Sequence, residues 1–76
     1  MDDTAFQPPA LTPRERQCLT LLAKGLRVDA IAKAFGTDPK TVEKQIASAR
    51  AKLGATTVTQ AVAIAIRHNL LSGKEG

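Results

Sequence analysis

Lysines and small residues alternate along one side of the segment GTDPKTVEKQIASARAKLGA, residues 36–55. Apolar residues recur there at gaps of 4, 3 and 4, which predicts an amphipathic helix with one buried stripe. The stripe consists of Val42, Ile46, Ala49 and Leu53. The opposite, exposed face consists of Lys40, Lys44, Ala47, Ser48 and Ala51, with Glu43 and Arg50 along one edge and Gln45 and Lys52 along the other.

Small side chains between lysines would let this helix approach the major groove of duplex DNA closely. The lysines would then reach phosphates or base edges, and most of them would position the protein more than they would select a sequence. A solvated helix face that carries lysine for solubility has the same pattern. The face alone therefore favours DNA binding without requiring it.

Four helical segments predict an all-α domain, because no stretch alternates apolar and polar residues at the period of a strand. The first helix begins with TPRE, in which Thr12 is the N-cap, Pro13 takes the first helical position and Glu15 completes a capping box. Gly25 ends it. Its buried stripe consists of Leu11, Cys18, Leu19 and Leu22.

The second and third helices together form a predicted helix-turn-helix. The second spans about 28–35, with Arg27 as a poor N-cap and Gly36 at its end, and its inward side chains are Ile31, Ala32 and Phe35. The third begins with Asp38 as N-cap and Pro39 at the first position, and it ends at Gly54. The turn between them, residues 36–38, is short enough for this motif.

The fourth helix starts with a capping box from Thr57 to Gln60 and runs to about His68, where Asn69 suits a left-handed turn. Its predicted inner face is Val58, Ala61, Val62 and Ala65. Its other sides are apolar as well, which indicates burial against a partner subunit or an adjoining domain. The candidate dimer interface consists of Ala63, Ile64, Ile66 and Leu70.

The charge balance is basic, with 11 Lys and Arg against 7 Asp and Glu. Residues 12–71 hold ten basic and four acidic side chains, a net charge of +6. A surface of this kind attracts polyanions such as phosphate backbones or anionic lipid, or it serves solubility. With Phe6 and Phe35 as the only aromatic residues, a stacking platform for single-stranded nucleic acid is disfavoured.

One cysteine, Cys18, and one histidine, His68, leave too few groups for a disulfide, a metal site or a nucleophile with its base. We therefore expect no cofactor and no enzymatic activity. No signal peptide or apolar run of membrane-spanning length is present, so the sequence predicts a soluble, cytoplasmic protein without a membrane role.

The 76 residues predict one small domain with two short flanks. Residues 1–10, with a Pro-Pro pair, read as a flexible start or linker remnant, residues 11–71 as the domain, and residues 72–76 as a frayed tail. A free-standing protein and an excised C-terminal domain both fit this organisation.

Three segments resemble, in order and spacing, the LuxR/FixJ/GerE-type DNA-binding domain of bacterial transcription regulators. They are LTPRERQCLTLLAKGL, IAKAFGTDPKTVEKQIASARAKLGA and TQAVAIAIRHNLL, which together cover residues 11–71. The resemblance implies that the third helix is the recognition helix and that the fourth usually forms the dimer contact.

The resemblance also implies roles for single residues. Thr41 matches a threonine that commonly meets backbone phosphate, Lys44 a position that faces the groove, and Lys52 a basic position that supports phosphate contacts. Arg14 and Arg16 fall at the start of the first helix, which can approach the backbone.

Three positions depart from the family pattern. Glu43 stands where members often carry Lys or Arg, Gln45 replaces a frequent His, and Ala47 is small where some members place a basic reader. Glu43 can accept a hydrogen bond from a cytosine amino group, pair weakly with Lys40 or remain solvated, or contact a protein.

We therefore expect a sequence-specific regulator of transcription that binds double-stranded DNA as a homodimer. The candidate DNA-binding residues are Lys40, Thr41, Glu43, Lys44, Ala47, Ser48 and Lys52. The alternative is a protein-interaction module of the same fold that docks onto, or inhibits, another regulator without reading DNA.

Overall fold

Four α-helices make up the computed structural model of the chain, which describes residues 11–68 and residue 71. They are α1 (Pro13–Ala23), α2 (Val28–Phe35), α3 (Pro39–Lys52) and α4 (Val58–Arg67). The described residues contain no strand, so the predicted all-α fold with four helices is confirmed. Asn69 and Leu70, predicted at the fourth helix end and in the dimer interface, lie outside the described residues.

Side-chain caps fix where three of the helices begin. At α1 the capping box is complete: the Glu15 N–H donates to Thr12 Oγ1 at 3.0 Å, and the Thr12 N–H donates to Glu15 Oε1 at 2.9 Å. Asp38 caps α3 as predicted, whereas Arg27 gives α2 no side-chain cap. The predicted box at α4 is shifted, because Thr57 accepts from the Gln60 N–H but the Gln60 side chain accepts from the N–H of Thr56 instead of Thr57.

The turn between α2 and α3 depends on a glycine. Gly36 has a φ of 71°, in the left-handed region where a side chain is disfavoured. This conformation lets the Thr37 N–H donate to the Ala32 carbonyl at 2.9 Å, which closes the end of α2. The chain then enters α3 after only two more residues, and α2 and α3 form the helix-turn-helix.

The core is divided into two clusters, and α3 contributes to both. One joins α3 to α1 and α4, and it consists of Leu11, Leu19, Ala49, Leu53, Ala55, Ala61 and Ala65. The other joins α3 to α1 and α2, and it consists of Cys18, Ile31, Ala32, Val42 and Ile46. All four residues of the predicted α3 stripe are buried. Their contacts with both core clusters fix which side of α3 faces the solvent.

Two other packing predictions have different outcomes. Cys18 is fully buried as predicted, and burial raises the pKa of its thiol, which fits a small core residue. Val58, predicted on the inner face of α4, is 37% exposed. The reason is its place as the first residue of α4, since the core side of this helix is made by Ala61 and Ala65 in the turns that follow.

Candidate nucleic-acid interface

The exposed side of α3 carries most of the residues that the sequence placed there. The ones that the structure leaves exposed are Lys40, Thr41, Glu43, Lys44, Ala47 and Ala51. The half-buried ones are Gln45, Ser48, Arg50 and Lys52. The first half of the helix therefore presents its cations to solvent, whereas the polar residues of the second half turn toward the rest of the domain.

Glu15 explains much of this difference. Its side chain is 3% exposed, although it belongs to the first turn of α1. Besides the bond from Thr12, its carboxylate accepts a hydrogen bond from Ser48 Oγ at 2.6 Å and one from Lys52 Nζ at 2.9 Å. Both oxygens of this buried carboxylate are thus hydrogen-bonded, and the carboxylate joins the start of α1 to the second half of α3.

The pKa of the Glu15 carboxyl lies below its ordinary value of 4.5. Burial is the largest single influence and raises it. Hydrogen bonds from Ser48, from the Thr12 backbone and from Lys52, with the positive charge of Lys52, together outweigh burial and lower it. The ionised form is therefore the one that the fold stabilises.

Ser48 and Lys52 consequently differ from what we expected. Ser48, predicted on the exposed face of α3, is half-buried with its hydroxyl bonded to Glu15. The Lys52 side chain is 33% exposed, and its ammonium pairs with the same carboxylate. The helical periodicity of α3 alone did not include a partner on α1, and nothing local in the sequence marks a contact 33 or 37 residues away. Contact of either residue with DNA stays a prediction.

Asp38 holds the first turn of α3. Its Oδ1 accepts the Thr41 N–H at 2.9 Å, and its carboxylate is also bonded to the Thr41 side chain. These bonds, the backbone one first, lower the pKa of the Asp38 carboxyl. Contact of the Thr41 side chain with a phosphate, which the family resemblance implies, stays a prediction.

One edge of α3 borders an apolar groove. Arg50, predicted on this edge, donates from Nη1 to the Ala55 carbonyl at 3.2 Å and so supports the connection to α4. Glu43 lies on the same edge and is exposed. A groove of about 270 Å³ separates this edge from α1, α2 and α4. Its lining is Leu22, Val28, Glu43, Ile46, Ala47, Arg50 and Val58.

The ion pair that we considered between Lys40 and Glu43 is not formed. Among the described residues, an ion pair is formed between Lys52 and Glu15, and neither Lys40 nor Glu43 takes part in one. Since both Lys40 and Glu43 are exposed at the start of α3, holding them together would gain little against solvent and side-chain entropy. Of the roles proposed for Glu43, base recognition, a solvated side chain and protein contact remain open as predictions.

The other edge of α3 borders a notch with a mixed polar and apolar lining that the sequence did not reveal. The Arg14 guanidinium lies over the ring of Phe35, with 4.2 Å between its central carbon and the ring centroid. We call this feature the Arg14 notch; it has a volume of about 160 Å³ and is lined by Arg14, Phe35, Thr37, Thr41, Val42 and Gln45. Arg14 was placed near DNA only by the family resemblance, and its stacking on Phe35 was missed because this contact joins α1 to the end of α2.

The outer face of α4 is less uniform than predicted. Ala63 is exposed, and Ile66 is 56% exposed, the largest exposure of any bulky apolar side chain in the described residues. Ile64 is half-buried and packs against the core cluster that joins α1, α3 and α4. The exposed apolar surface of α4 therefore centres on Ile66.

Neither a cluster of metal ligands nor a membrane-spanning helix is found in the part of the chain that the structure describes. No three side chains of His, Cys, Asp or Glu come together as metal ligands would. None of the helices there has the length and apolar composition needed to cross a membrane.

The fold and the α3 face together define a class of protein. A short helix, a tight glycine turn and a second helix with cations on its exposed side form the helix-turn-helix of DNA-binding regulators. Comparison with known proteins agrees with this class. Residues 9–65 match the family described as bacterial regulatory proteins, luxR family.

Three curated proteins are similar to the chain in sequence. The transcriptional activator protein BjaR1 of Bradyrhizobium diazoefficiens is 35% identical over 95% of the chain and 30% of that protein. The transcriptional regulatory protein FixJ of the same organism is 33% identical over 92% of the chain and 34% of FixJ. The response regulator protein VraR of Staphylococcus aureus is 41% identical over 80% of the chain and 29% of VraR.

The chain belongs to the luxR family of bacterial regulatory proteins, which confirms the resemblance found in the sequence. It is a helix-turn-helix domain of transcription regulators and not an enzyme. The chain spans about a third of the length of the curated relatives that it matches.

Proposed function

We propose that this domain binds double-stranded DNA in a sequence-specific manner, with α3 in the major groove, and thereby regulates transcription. The observation that carries the proposal is the exposed side of α3. It combines Lys40 and Lys44 with the small side chains of Ala47 and Ala51. The buried stripe on the opposite side of the helix packs into both core clusters. Such a face brings the helix backbone close to the groove floor and places amines at its sides.

We propose that different residues of α3 contact the bases and the phosphates. Lys44 and Ala47 face the bases, and Lys40 and Thr41, at the start of the helix, lie near the backbone phosphates. Ser48 and Lys52 support the position of α3 through Glu15. We propose that Lys52 adds its partly exposed charge to the phosphate contacts, since its ammonium lies at the rim of the domain.

We further propose that the domain acts as a homodimer on a two-fold site. The exposed Ile66, beside Ala63, gives α4 an apolar surface that a second copy would cover. Half-sites would then be separated by about one helical turn of DNA, or roughly 34–36 Å. Such a regulator would act in the cytoplasm, where bacterial DNA is found.

The experiment that tests the proposal is a selection of bound duplexes from random sequence. We expect a two-fold symmetric consensus sequence. We also expect the affinity of the domain for this sequence to fall steeply with salt: the logarithm of the binding constant should fall by about 0.9 per logarithmic unit of salt concentration for each phosphate contacted. A pool that stays unenriched after repeated rounds would contradict sequence-specific binding.

Replacing Ile66 by Glu should weaken self-association, because the new carboxylate would lose its water in the interface. We expect at least a tenfold increase in the dimer dissociation constant, measured by sedimentation equilibrium; tenfold corresponds to about 1.4 kcal/mol. Ala34→Glu places the same charge on an exposed position of α2 and serves as the matched control. Equal dissociation constants for both variants would show that Ile66 lies outside the dimer contact.

The second candidate function is a protein-interaction module, and the apolar groove beside Glu43 favours it. An acid on the rim of an apolar groove suits a partner with a basic residue beside an apolar one better than it suits phosphates. The same DNA selection separates the two functions. Under this alternative, no duplex would be enriched and a purified regulator would bind the domain with an affinity that Glu43→Lys reduces.

A further inference from the structure

Thr37 lies in the turn of the helix-turn-helix, where its side chain is open to chemical modification. The residue is exposed, and Gly36 and Asp38 on either side of it are exposed as well. Its N–H closes the end of α2, but its hydroxyl has no hydrogen-bond partner among the described residues. An enzyme that modifies hydroxyl groups can reach a side chain in such a turn without unfolding a helix.

Several other hydroxyl groups of the domain are already bonded. Those of Thr12 and Thr57 accept the first N–H bonds of their helices, and that of Ser48 is bonded to a buried carboxylate. Thr56 resembles Thr37 more closely, because it is exposed outside a helix, in the connection between α3 and α4. It provides a matched control for Thr37.

Arg14 offers Thr37 a partner for a phosphate group. Both residues line the Arg14 notch, and the Arg14 guanidinium makes no hydrogen bond or ion pair to any described residue. Because the guanidinium lies over the Phe35 ring, the N–H groups in its plane stay available. A phosphate ester carries three acceptor oxygens, and arginine binds such a group with two parallel hydrogen bonds.

The surroundings of the notch suit a doubly charged anion. The notch has a volume of about 160 Å³. Each water molecule in the liquid takes a share of roughly 30 Å³, so one phosphate group has enough space there. Lys33 and Lys40, on either side of the turn in sequence, are exposed and add positive charge near Thr37. A phosphate on Thr37 would therefore find its counter-charge within the domain itself.

We propose that Thr37 is a phosphorylation site, at which a protein kinase transfers the γ-phosphoryl group of ATP to Thr37 Oγ1 and Arg14 binds the new phosphate in the notch. In this transfer the hydroxyl oxygen forms a bond to the γ-phosphorus, and the bond from this phosphorus to the β,γ-bridging oxygen breaks. The hydroxyl proton passes to a base of the kinase, and ADP leaves.

The phosphate on Thr37 weakens DNA binding. Thr41 and Gln45, which line the notch, each follow a lysine of the exposed face of α3, Lys40 and Lys44, by one residue. The notch thus lies about 100° around α3 from these lysines. A group of about two negative charges there opposes the attraction between the lysines and the DNA. This effect rests on the proposed function, whereas the binding of the phosphate by Arg14 does not.

Phosphorus NMR tests the contact with Arg14. The chain is synthesised with phosphothreonine at position 37, and the phosphate is titrated in the folded protein. We expect its second pKa to lie below the ordinary value of about 6, because a nearby guanidinium favours the dianion. Arg14→Gln in the same phosphorylated chain should raise this pKa, whereas Lys24→Gln, at the far end of α1, should leave it unchanged. If Arg14→Gln also leaves it unchanged, Arg14 does not bind the phosphate.

Fluorescence anisotropy with a selected duplex tests the effect on DNA. At about 50 mM salt, phosphorylation of Thr37 should weaken binding about tenfold or more, and the loss should shrink as the salt concentration rises. Phosphorylation of Thr56, beyond the other end of α3, should change the affinity by less than about threefold. Equal effects of the two phosphates, or an unchanged affinity with phosphorylated Thr37, would contradict the proposed effect.

The transfer itself is tested with ATP and a purified bacterial Ser/Thr protein kinase that prefers basic substrates. Mass spectrometry locates the phosphate. We expect Thr37 to be modified about tenfold faster than Thr56, because the cations around the turn attract such a kinase. Thr37→Val keeps the β-branched shape without the hydroxyl and should lose this phosphate. If Thr37 stays unmodified, or Thr56 is modified as fast, the site is assigned wrongly.

Failure of this inference is distinguishable from failure of the proposed function. If the native chain binds DNA but the phosphate on Thr37 titrates alike with and without Arg14, this inference fails and the proposed function stands. If no duplex shows salt-dependent binding to the native chain, the proposed function fails, and the effect of the phosphate on DNA binding fails with it. Phosphorus NMR then still decides whether Arg14 binds the phosphate.

Discussion

Replacing Glu15 by Ala should destabilise the domain by about 2–3 kcal/mol, a large part of the margin of so small a protein. The substitution removes the acceptor of three hydrogen bonds, from the Thr12 backbone, Ser48 and Lys52. It also opens the capping box of α1 and leaves a void at the contact of α1 with α3. Urea unfolding followed by circular dichroism measures the loss.

Two controls separate the parts of this effect. Glu43→Gln changes an exposed carboxylate on α3 and should alter the free energy of unfolding by less than about 0.5 kcal/mol. Glu15→Gln keeps the shape and one acceptor oxygen but removes the charge, so we expect an intermediate loss. An Ala variant as stable as the native chain would show that the Glu15 bonds contribute nothing net.

The pH dependence of stability has a definite sign. The pKa of Glu15 is lower in the folded chain than its ordinary value of 4.5, so the folded state binds its proton less readily than the unfolded state does. The stabilisation is therefore complete above about pH 5 and is lost as the pH falls through the folded value. Unfolding measured between about pH 6 and about pH 3 should lose less stability in Glu15→Gln than in the native chain. Parallel curves for the two proteins would contradict this assignment.

The helices could be predicted because their signals are local. Thr12 and Glu15, or Asp38 and Pro39, lie within one turn of each other, so a short sequence window contains the whole cap. The α3 stripe was predictable for the same reason, since its period follows from one helix alone. These features fixed the helix-turn-helix and the side of α3 that faces the solvent.

The contacts between helices could not be predicted in the same way. The capping role of Glu15 was visible in the sequence, but its bonds to Ser48 and Lys52 depend on how α1 crosses α3. The stacking of Arg14 on Phe35 likewise joins the start of α1 to the end of α2. Periodicity assigns a residue to a face of its own helix, and only the packing of helices decides whether that face meets solvent or a neighbour.

These contacts between helices bear on which residues can contact DNA directly. Ser48 had been expected on the exposed face with Lys44, but it is half-buried with its hydroxyl bonded to Glu15, and its contact with DNA stays a prediction. Arg14, which the resemblance already placed near the DNA backbone, is exposed with its guanidinium over the ring of Phe35. The surface proposed to contact DNA therefore lies at the start of α3, while the second half of this helix is bonded to α1 through Glu15.

The structure removes one of the roles considered for Glu43, the ion pair with Lys40. Glu43 has no ion pair with Lys40, and it borders an apolar groove on the edge of α3 opposite the Arg14 notch. In the proposed complex, a carboxylate there would either accept a hydrogen bond from cytosine or lower affinity by repelling the phosphates. A consensus that loses a cytosine preference with Glu43→Ala would favour the first role, and a uniform gain in affinity would favour the second.

Replacing Lys44 by Ala should have the largest effect on sequence recognition. Lys44 is exposed in the middle of the cationic part of α3, between Lys40 and Ala47, where the groove floor would be nearest. A lysine that donates to a guanine edge contributes about 1–3 kcal/mol of discrimination. We therefore expect Lys44→Ala to weaken binding to the selected site at least tenfold while binding to unrelated duplex changes much less. Repeating the random-sequence selection with the variant should give a consensus with one position relaxed in each half-site.

Lys40→Ala is the matched contrast, since it removes the same group one helical turn earlier. At a phosphate, this lysine should affect all duplexes alike, so the consensus would be kept and the salt slope would fall by about 0.9 for each protomer. If both variants weakened all duplexes equally and kept the consensus, Lys44 would be a phosphate contact. The sequence preference would then have to come from Glu43, Ala47 or the shape of the DNA itself.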